Sequence, residues 1–557
     1  MSEHTSRPKR TITLRTRVGV HWSSDMTSYA KGPHAQLLEQ SIYAVLVRTA
    51  GRVPGSEALV VRHQKIRLAW REFLVEVDRL GGALAAMDLT RGDRVGIWST
   101  NCAEWVLLQF AAARNGIVLV NVNPAYRSHE LAYVVRKSAI KVLFLREKDA
   151  RTNYRAILEQ AAPGLPAVYI GHDSWHSMLS AAMQFQAPPV ACSDIANIQY
   201  TSGTTGNPKG VLLTHRNLIN NGYLIAQNLR YTESDRICIP VPLYHCFGCV
   251  IGTLAAVASG AAMILPSATF DAGATLAAIA DERATSLYGV PTMFIAELDH
   301  PDFARFDLTS LRTGVMAGAP CPVEVMKRVI SDMHCQEMTI MYGQTESSPV
   351  ITGSSVEDSL DIRVSTVGAA FPCTEVKIVD EAGATVPVGD QGELCTRGYL
   401  VMQGYDQDPE ATAAAIDPEG WLHTGDLARM REDSYFRITG RKKDMIIRGG
   451  ENIYPREIEE FLYSHPKISD VQVVGVPDRR FGEVLSAYVR LKPGEACSEE
   501  EIREYCKGRI AHFKVPQHVR FVESFPMTVT GKIQKFKIRE MEIERLALSE
   551  EARVETA

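Results

Sequence analysis

From about residue 94 onward, apolar runs of strand length alternate with stretches of helix length. Arg94–Trp98 reads as a strand, 103–113 as a helix and 117–122 as a strand. A helix capped by Ser128 carries Leu131, Val134 and Val135 on one face, and 141–145 is the next strand. Such alternation implies parallel β-α-β units with helices on both sheet faces. The pattern returns after Leu218 through 261–265, 274–281, 286–288 and a helix near 322–331, so two α/β units in succession are expected. Between 364 and 436 the texture changes to short strands with many Gly and Pro turns, and 376–379, 392–396 and 435–438 fit a small β-barrel or sheet. A charged break at 441–444 precedes a compact α+β segment with a helix over Pro455–Tyr463, strands over 471–476 and 485–491, and a helix capped by Ser498 with Glu501 three residues on. The expected organisation is a tail over 1–35 and a large domain over 36–440, built of two doubly wound α/β subdomains plus a small β-barrel. A break over 441–444 and a small α+β domain over 445–557 complete it.

With 557 residues the chain is too long for one core. It is 45% hydrophobic and 22% charged with a net charge of −5, which offers nothing to nucleic acid or an anionic membrane. Eleven cysteines, odd in number and scattered, argue for a reducing compartment such as the cytoplasm. Cys246 and Cys249 form the only Cys-x-x-Cys, directly after His245; no second pair completes a metal site, and core packing is favoured. The longest uncharged run, 249–265, falls short of the about 20 residues of a membrane span and reads as a buried helix followed by a strand. The first seventeen residues are basic and lack an apolar h-region, which excludes a secretory signal. A short disordered tail is favoured there over an organelle transit peptide.

The chemistry is densest between two candidate strands, 197–200 and 211–214. Thr201, Ser202, Gly203, Thr204, Thr205, Gly206, Lys209 and Gly210 lie together there. Glycines let successive N–H groups point into one concavity, while hydroxyls and an ammonium add donors and charge suited to a polyphosphate. The spacing does not match a P-loop, which needs Gly, four residues, then Gly-Lys-Ser/Thr. A glycine-rich surface turn is the bland rival, and the density of hydroxyls counts against it.

Further motifs follow in order: Pro242-Leu-Tyr-His-Cys-Phe-Gly248, Met316-Ala-Gly-Ala-Pro320, Met341-Tyr-Gly-Gln-Thr-Glu346, Trp421-Leu-His-Thr-Gly-Asp426, Gly440-Arg-Lys-Lys-Asp444, Gly449-Gly-Glu-Asn452 and Thr530-Gly-Lys532. In this order and spacing the set closely resembles the adenylate-forming superfamily of acyl-CoA synthetases, NRPS adenylation domains and beetle luciferases. Within it the chain looks most like medium-chain fatty acyl-CoA synthetases, over about residues 40–540. The resemblance implies ATP, Mg²⁺ and coenzyme A as cofactors, a small-molecule carboxylic acid as substrate, and a monomer or homodimer. It also implies two half-reactions. A carboxylate attacks the α-phosphorus of ATP and releases pyrophosphate; a thiol then displaces AMP from the acyl-adenylate.

By that resemblance the residues from Thr201 to Lys209 hold the departing pyrophosphate, Thr345 meets the α-phosphate, and Glu346 binds Mg²⁺. Asp426 accepts the ribose hydroxyls and Arg441 makes a second ribose or phosphate contact. Gly318, Ala319 and Pro320 face Tyr342 across the adenine. Lys532 is the implied catalytic residue of the first half-reaction. Lys443 matches the hinge on which a mobile C-terminal domain turns, and Gly449 and Gly450 match the pantetheine tunnel. His245, Cys246, Val290, Gly314, Met316 and Ala317 align with the acid pocket, His245 as wall or catalytic neighbour. That pocket is apolar, with small residues and no cation, which favours an uncharged acyl tail of medium length. Three alternatives stay open: an enzyme loading a separate carrier protein, a ligase for aryl or hydroxy acids, and a non-catalytic nucleotide sensor. The sensor is disfavoured because Lys532, Glu346 and Asp426 are all present.

Overall fold

The computed structural model describes residues 26–149, 152–201, 208–319, 321–448, 451–478, 480–528 and 533–546. Two large, mostly parallel sheets form the body. The seven-stranded sheet takes the order Gly404–Tyr405, Lys209–Thr214, Ile195–Thr201, Val118–Asn121, Arg94–Trp98, Val142–Leu145, Ala167–Tyr169. In the nine-stranded sheet, Ser286–Gly289, Thr313–Ala317 and Glu337–Gly343 run parallel side by side. These strands are buried on both faces, which is why they read as continuous apolar runs.

The two sheets are not successive in the chain, as the sequence reading expected. Strands Glu57–Val61 and Ile66–Ala69 close the far edge of the nine-stranded sheet, beside Ala262–Leu265. Gly404–Tyr405 in turn crosses back to the edge of the seven-stranded one. The chain also joins the body before residue 36. Tyr29–Lys31 pairs antiparallel with the strand Thr374–Val379, so the expected tail overlaps an ordered strand. Ser128 begins its helix but does not cap it by a side-chain bond; the cap residue is Arg127.

The expected small β-unit is a five-stranded antiparallel sheet of Tyr29–Lys31, Thr374–Val379, Gln391–Gly398, Leu422–Met430 and Phe436–Arg441. Its last strand runs into a 3₁₀ turn, Lys442–Asp444, and then into Ile446–Arg448, the first strand of a separate C-terminal sheet. That sheet has its own core of Ile446, Ile453, Ile458, Leu462, Val471, Val473, Leu485, Ala487 and Val519. Helix Pro455–Tyr463 falls where the sequence pattern put it, Ser498 caps its helix by accepting the amide of Glu501, and a last helix runs over Lys535–Arg545.

Candidate active site

Carboxyl ends of parallel strands collect the candidate residues, the usual place for a ligand in an open α/β sheet. Thr201 ends one strand and pairs in register with Lys209 on its antiparallel neighbour, so the glycine-rich segment connects two strands of a hairpin. A P-loop would join a strand to a helix, and that reading is excluded here. Ser202, Gly203, Thr204, Thr205 and Gly206 lie outside the described residues, as do Pro320, Gly449, Gly450 and Lys532.

In the adjacent sheet, Ala317 and Met341 are register partners, which sets Gly318 beside Tyr342 at the strand ends. Gly318 adopts φ +85° and, like Ala319, is exposed. Tyr342 donates its hydroxyl to Asp426 Oδ2 at 2.7 Å, and Arg441 Nε lies 2.9 Å from Asp426 Oδ1. Asp426 and Arg441 are themselves partners across two antiparallel strands. Burial, then the Asp426 charge, pushes the Tyr342 phenol far up, so it stays a donor; that same charge raises Arg441. Two residues from two separate motifs thus converge on the carboxylate of a third, Asp426, itself 4% exposed.

Just past Tyr342 the chain makes a 3₁₀ turn, Thr345–Ser347. It can fold close because a Cβ at Gly343 would sit 1.7 Å from the carbonyl oxygen of Pro349. Thr345 is buried and Glu346 half-buried, its carbonyl accepting the amide of Met402 at 2.9 Å. Glu346 Oε1 accepts the hydroxyl of Tyr405 at 2.9 Å, and Lys209 Nζ stands 4.9 Å from the centre of that ring. A lone carboxylate such as Glu346 fits the donor set of a Mg²⁺ that would be held mostly by a ligand's own phosphate oxygens. Tyr405 belongs to none of the motifs. Its signal is a strand of only two residues, too short to register in a pattern.

Next to Gly318 lies an apolar cavity of about 20 Å³, lined by Val241, Pro242, His245, Phe247, Val290, Met293 and Gly318. It is room for about one water, so an acyl chain must open it. Gly318 borders both the cavity and the end of the Tyr342 strand. Cys246 and Ala317 pack in the same core, whereas Met316 packs with Leu287, Phe294 and Met338 in the second core. Gly314 is closed by the carbonyl oxygen of Leu287, 2.1 Å from where a Cβ would be. Met316 and Gly314 are therefore not brought to the cavity, and Cys246 and Ala317 do not line it either; of the six expected residues His245 and Val290 do, with Val241, Pro242, Phe247, Met293 and Gly318. Cys246 and Cys249 are buried thiols, and all eleven cysteines are free. Lys443 is an exposed residue of the 3₁₀ turn between body and C-terminal sheet. Among the described residues no helix is long and apolar enough to cross a membrane.

Residues 46–406 match the family described as AMP-binding enzyme, and residues 457–532 match the AMP-binding enzyme C-terminal domain. The mitochondrial medium-chain acyl-CoA ligase ACSF2 of Rattus norvegicus is 43% identical, over 94% of this chain and 91% of its own. Among solved structures, ATP-bound MatB from Rhodopseudomonas palustris superposes with a TM-score of 0.82 at 29% identity, covering 90% of this chain and 99% of that one. A fatty acyl CoA synthetase of Mycobacterium tuberculosis gives 0.73 at 31% identity, over 91% and 99%.

Proposed function

The chain belongs to the AMP-binding enzyme family and is an ATP-dependent, AMP-forming acid–CoA ligase; from that premise we propose a medium-chain fatty acid as its acid and Mg²⁺ as its cation. The observation carrying this reading is the convergence of Tyr342, Asp426 and Arg441 beside an apolar cavity whose rim is Gly318. The medium-chain relatives support the choice of acid.

ATP lies with adenine between Tyr342 and the Gly318–Ala319 backbone, and Asp426 accepts its ribose hydroxyls. Lys209, Thr201 and the hydroxyls of the intervening segment meet the β- and γ-phosphates. Glu346 would hold Mg²⁺, which would supply positive charge to the phosphates. The acid enters past His245 and Val290, opening the cavity by displacing Phe247 and Met293. One carboxylate oxygen attacks the α-phosphorus, the α–β anhydride bond breaks, and pyrophosphate leaves with its electron pair. Lys532 supplies positive charge where negative charge develops, an effect worth about 10²–10³ in rate. In the second half-reaction the CoA thiol, approaching past Gly449 and Gly450, attacks the acyl carbon and AMP departs. Free thiols throughout agree with a reducing, cytoplasmic setting.

Pyrophosphate release with ATP, Mg²⁺ and a panel of acids, with and without CoA, tests the reading. Medium-chain acids are expected to give release and full CoA-dependent turnover. Preference for aryl acids or dicarboxylates would overturn the choice of acid; exchange without CoA turnover would point to a carrier protein.

A further inference from the structure

Tyr405 stands between the two residues to which the proposed function gives the cation and the phosphates. Its hydroxyl donates to Glu346 Oε1 at 2.9 Å, and its ring carries Lys209 Nζ on one face at 4.9 Å. Among the described residues Glu346 Oε2 accepts no hydrogen bond, and no carboxylate pairs with Lys209. The lysine and the acid are of opposite charge and separated by one aromatic ring. Without that ring a direct ion pair would form and occupy the carboxylate.

The backbone around Tyr405 is held from several sides. Gly404 and Tyr405 pair with Leu212 and Val211, on the strand that begins at Lys209. The amide of Tyr405 donates to Thr412 Oγ1 at 2.9 Å. Asp406, 2% exposed, takes two bonds from the Arg94 guanidinium at 2.8 and 2.9 Å, and its own amide donates to the carbonyl of Gly210 at 2.7 Å. A two-residue strand has little hold of its own, so the buried ion pair next door fixes where the phenol points.

We propose that Tyr405 is a positioning residue: it aims Glu346 Oε2 at the nucleotide's cation and parks Lys209 on its ring, apart from that carboxylate, until phosphates arrive. The proposal rests on the roles given above to Glu346 and Lys209. Tyr405→Phe keeps the ring and removes the donor. It is expected to weaken Mn²⁺ binding to the enzyme–ATP complex, read by electron paramagnetic resonance, about 10-fold or more, as for loss of a hydrogen bond to a charged group. Calorimetric affinity for ATP in excess EDTA should stay unchanged. Tyr405→Leu removes the ring as well and should weaken metal-free ATP too, with no further loss when Lys209→Met is added. Tyr405→His, a shorter donor, should recover part of the Mn²⁺ affinity, and thermal unfolding of each variant reports folding. Unchanged Mn²⁺ affinity in Tyr405→Phe overturns the proposal. If Glu346→Gln also leaves Mn²⁺ affinity intact, it is the assignment of the carboxylate that fails; if Glu346→Gln abolishes it while Tyr405→Phe does not, only the role of Tyr405 fails.

Discussion

His215 opens the helix His215–Asn228 with its ring fully enclosed. Nδ1 accepts the amide of Ile42 at 3.3 Å, and Nε2 is buried without a hydrogen-bond partner. Burial lowers its pKa to about 4, and a helix N-terminus is itself a poor place for a cation. In the unfolded chain the ring titrates near about 6.5, so between about pH 6.5 and 4 unfolding takes up a proton and stability falls as pH falls. The slope is about 1.4 kcal/mol per pH unit, about 2 kcal/mol between pH 6.5 and 5. His215→Gln keeps an acceptor for Ile42 and does not titrate. Urea unfolding at pH 7 and pH 5 should show the variant losing about 2 kcal/mol less than the parent; equal losses would mean that His215 is charged when folded. At the same scale, Tyr342, Asp426 and Arg441 were legible because each sits in a motif whose chemistry names its partner. Gly314 and Met316 do not line the cavity beside Gly318, and the sequence could not have said so. In a strand buried on both faces there is no polar/apolar alternation, and nothing in the pattern says which neighbour faces which core.

At the scale of elements, the parallel strands were legible from length and apolarity, and helix starts such as Ser498 from their caps. Pieces below the reach of any pattern were not: the two-residue strand at Gly404, the π-helix Phe247–Gly252 after His245, and the early strand Tyr29–Lys31. The interleaving of the two large sheets was hidden too, because strand order is decided by long-range pairing. One small element flanks the residue proposed as catalytic. On either side of residues 529–532, Met527 and Ile533 form a bridge, and the amide of Gln534 donates to the carbonyl of Pro526 at 2.8 Å. Lys535 Nζ reaches Glu459 Oε1 at 2.6 Å, the same oxygen that accepts the amide of Val473 at 2.7 Å. A largely buried carboxylate thus anchors the chain three residues beyond Lys532. Lys535→Met leaves Glu459 bonded only to the amide and loosens that anchor. Acid-dependent ATP–pyrophosphate exchange is expected to fall about 10-fold, in line with loss of a charge-assisted bond worth about 1.5–3 kcal/mol. Thioester formation from supplied acyl-adenylate should hardly change. Equal loss in both assays would reduce the pair to a stability role.

For the whole molecule the decisive fact is that body and C-terminal lobe have separate cores and adjoin through one short turn. Arg441 is the last residue of a body strand and is tied to Asp426, while Ile446 already belongs to the other sheet. Across the junction, the Arg437 guanidinium on the body pairs with Glu460 on the helix Pro455–Tyr463. An exposed pair of this kind is worth about 0–1 kcal/mol, so it can break and reform without a large barrier. Chemistry demands such freedom. On the proposed mechanism the lysine serving the attack on phosphorus would stand in the path of the thiol, so one arrangement would not serve both steps. Lys532→Ala should therefore lower pyrophosphate exchange about 10²-fold or more and leave thioesterification of supplied acyl-adenylate within a few-fold of the parent. Lys443→Pro should do the reverse. A proline fixes φ near −65° in a 3₁₀ turn that has to change its dihedrals, so it hinders the passage between arrangements more than either arrangement itself. Single-turnover measurements of both half-reactions on the two variants give a ratio of ratios. If that ratio is one, the lobes do not alternate about this turn, and a fixed site would have to accommodate lysine and thiol together.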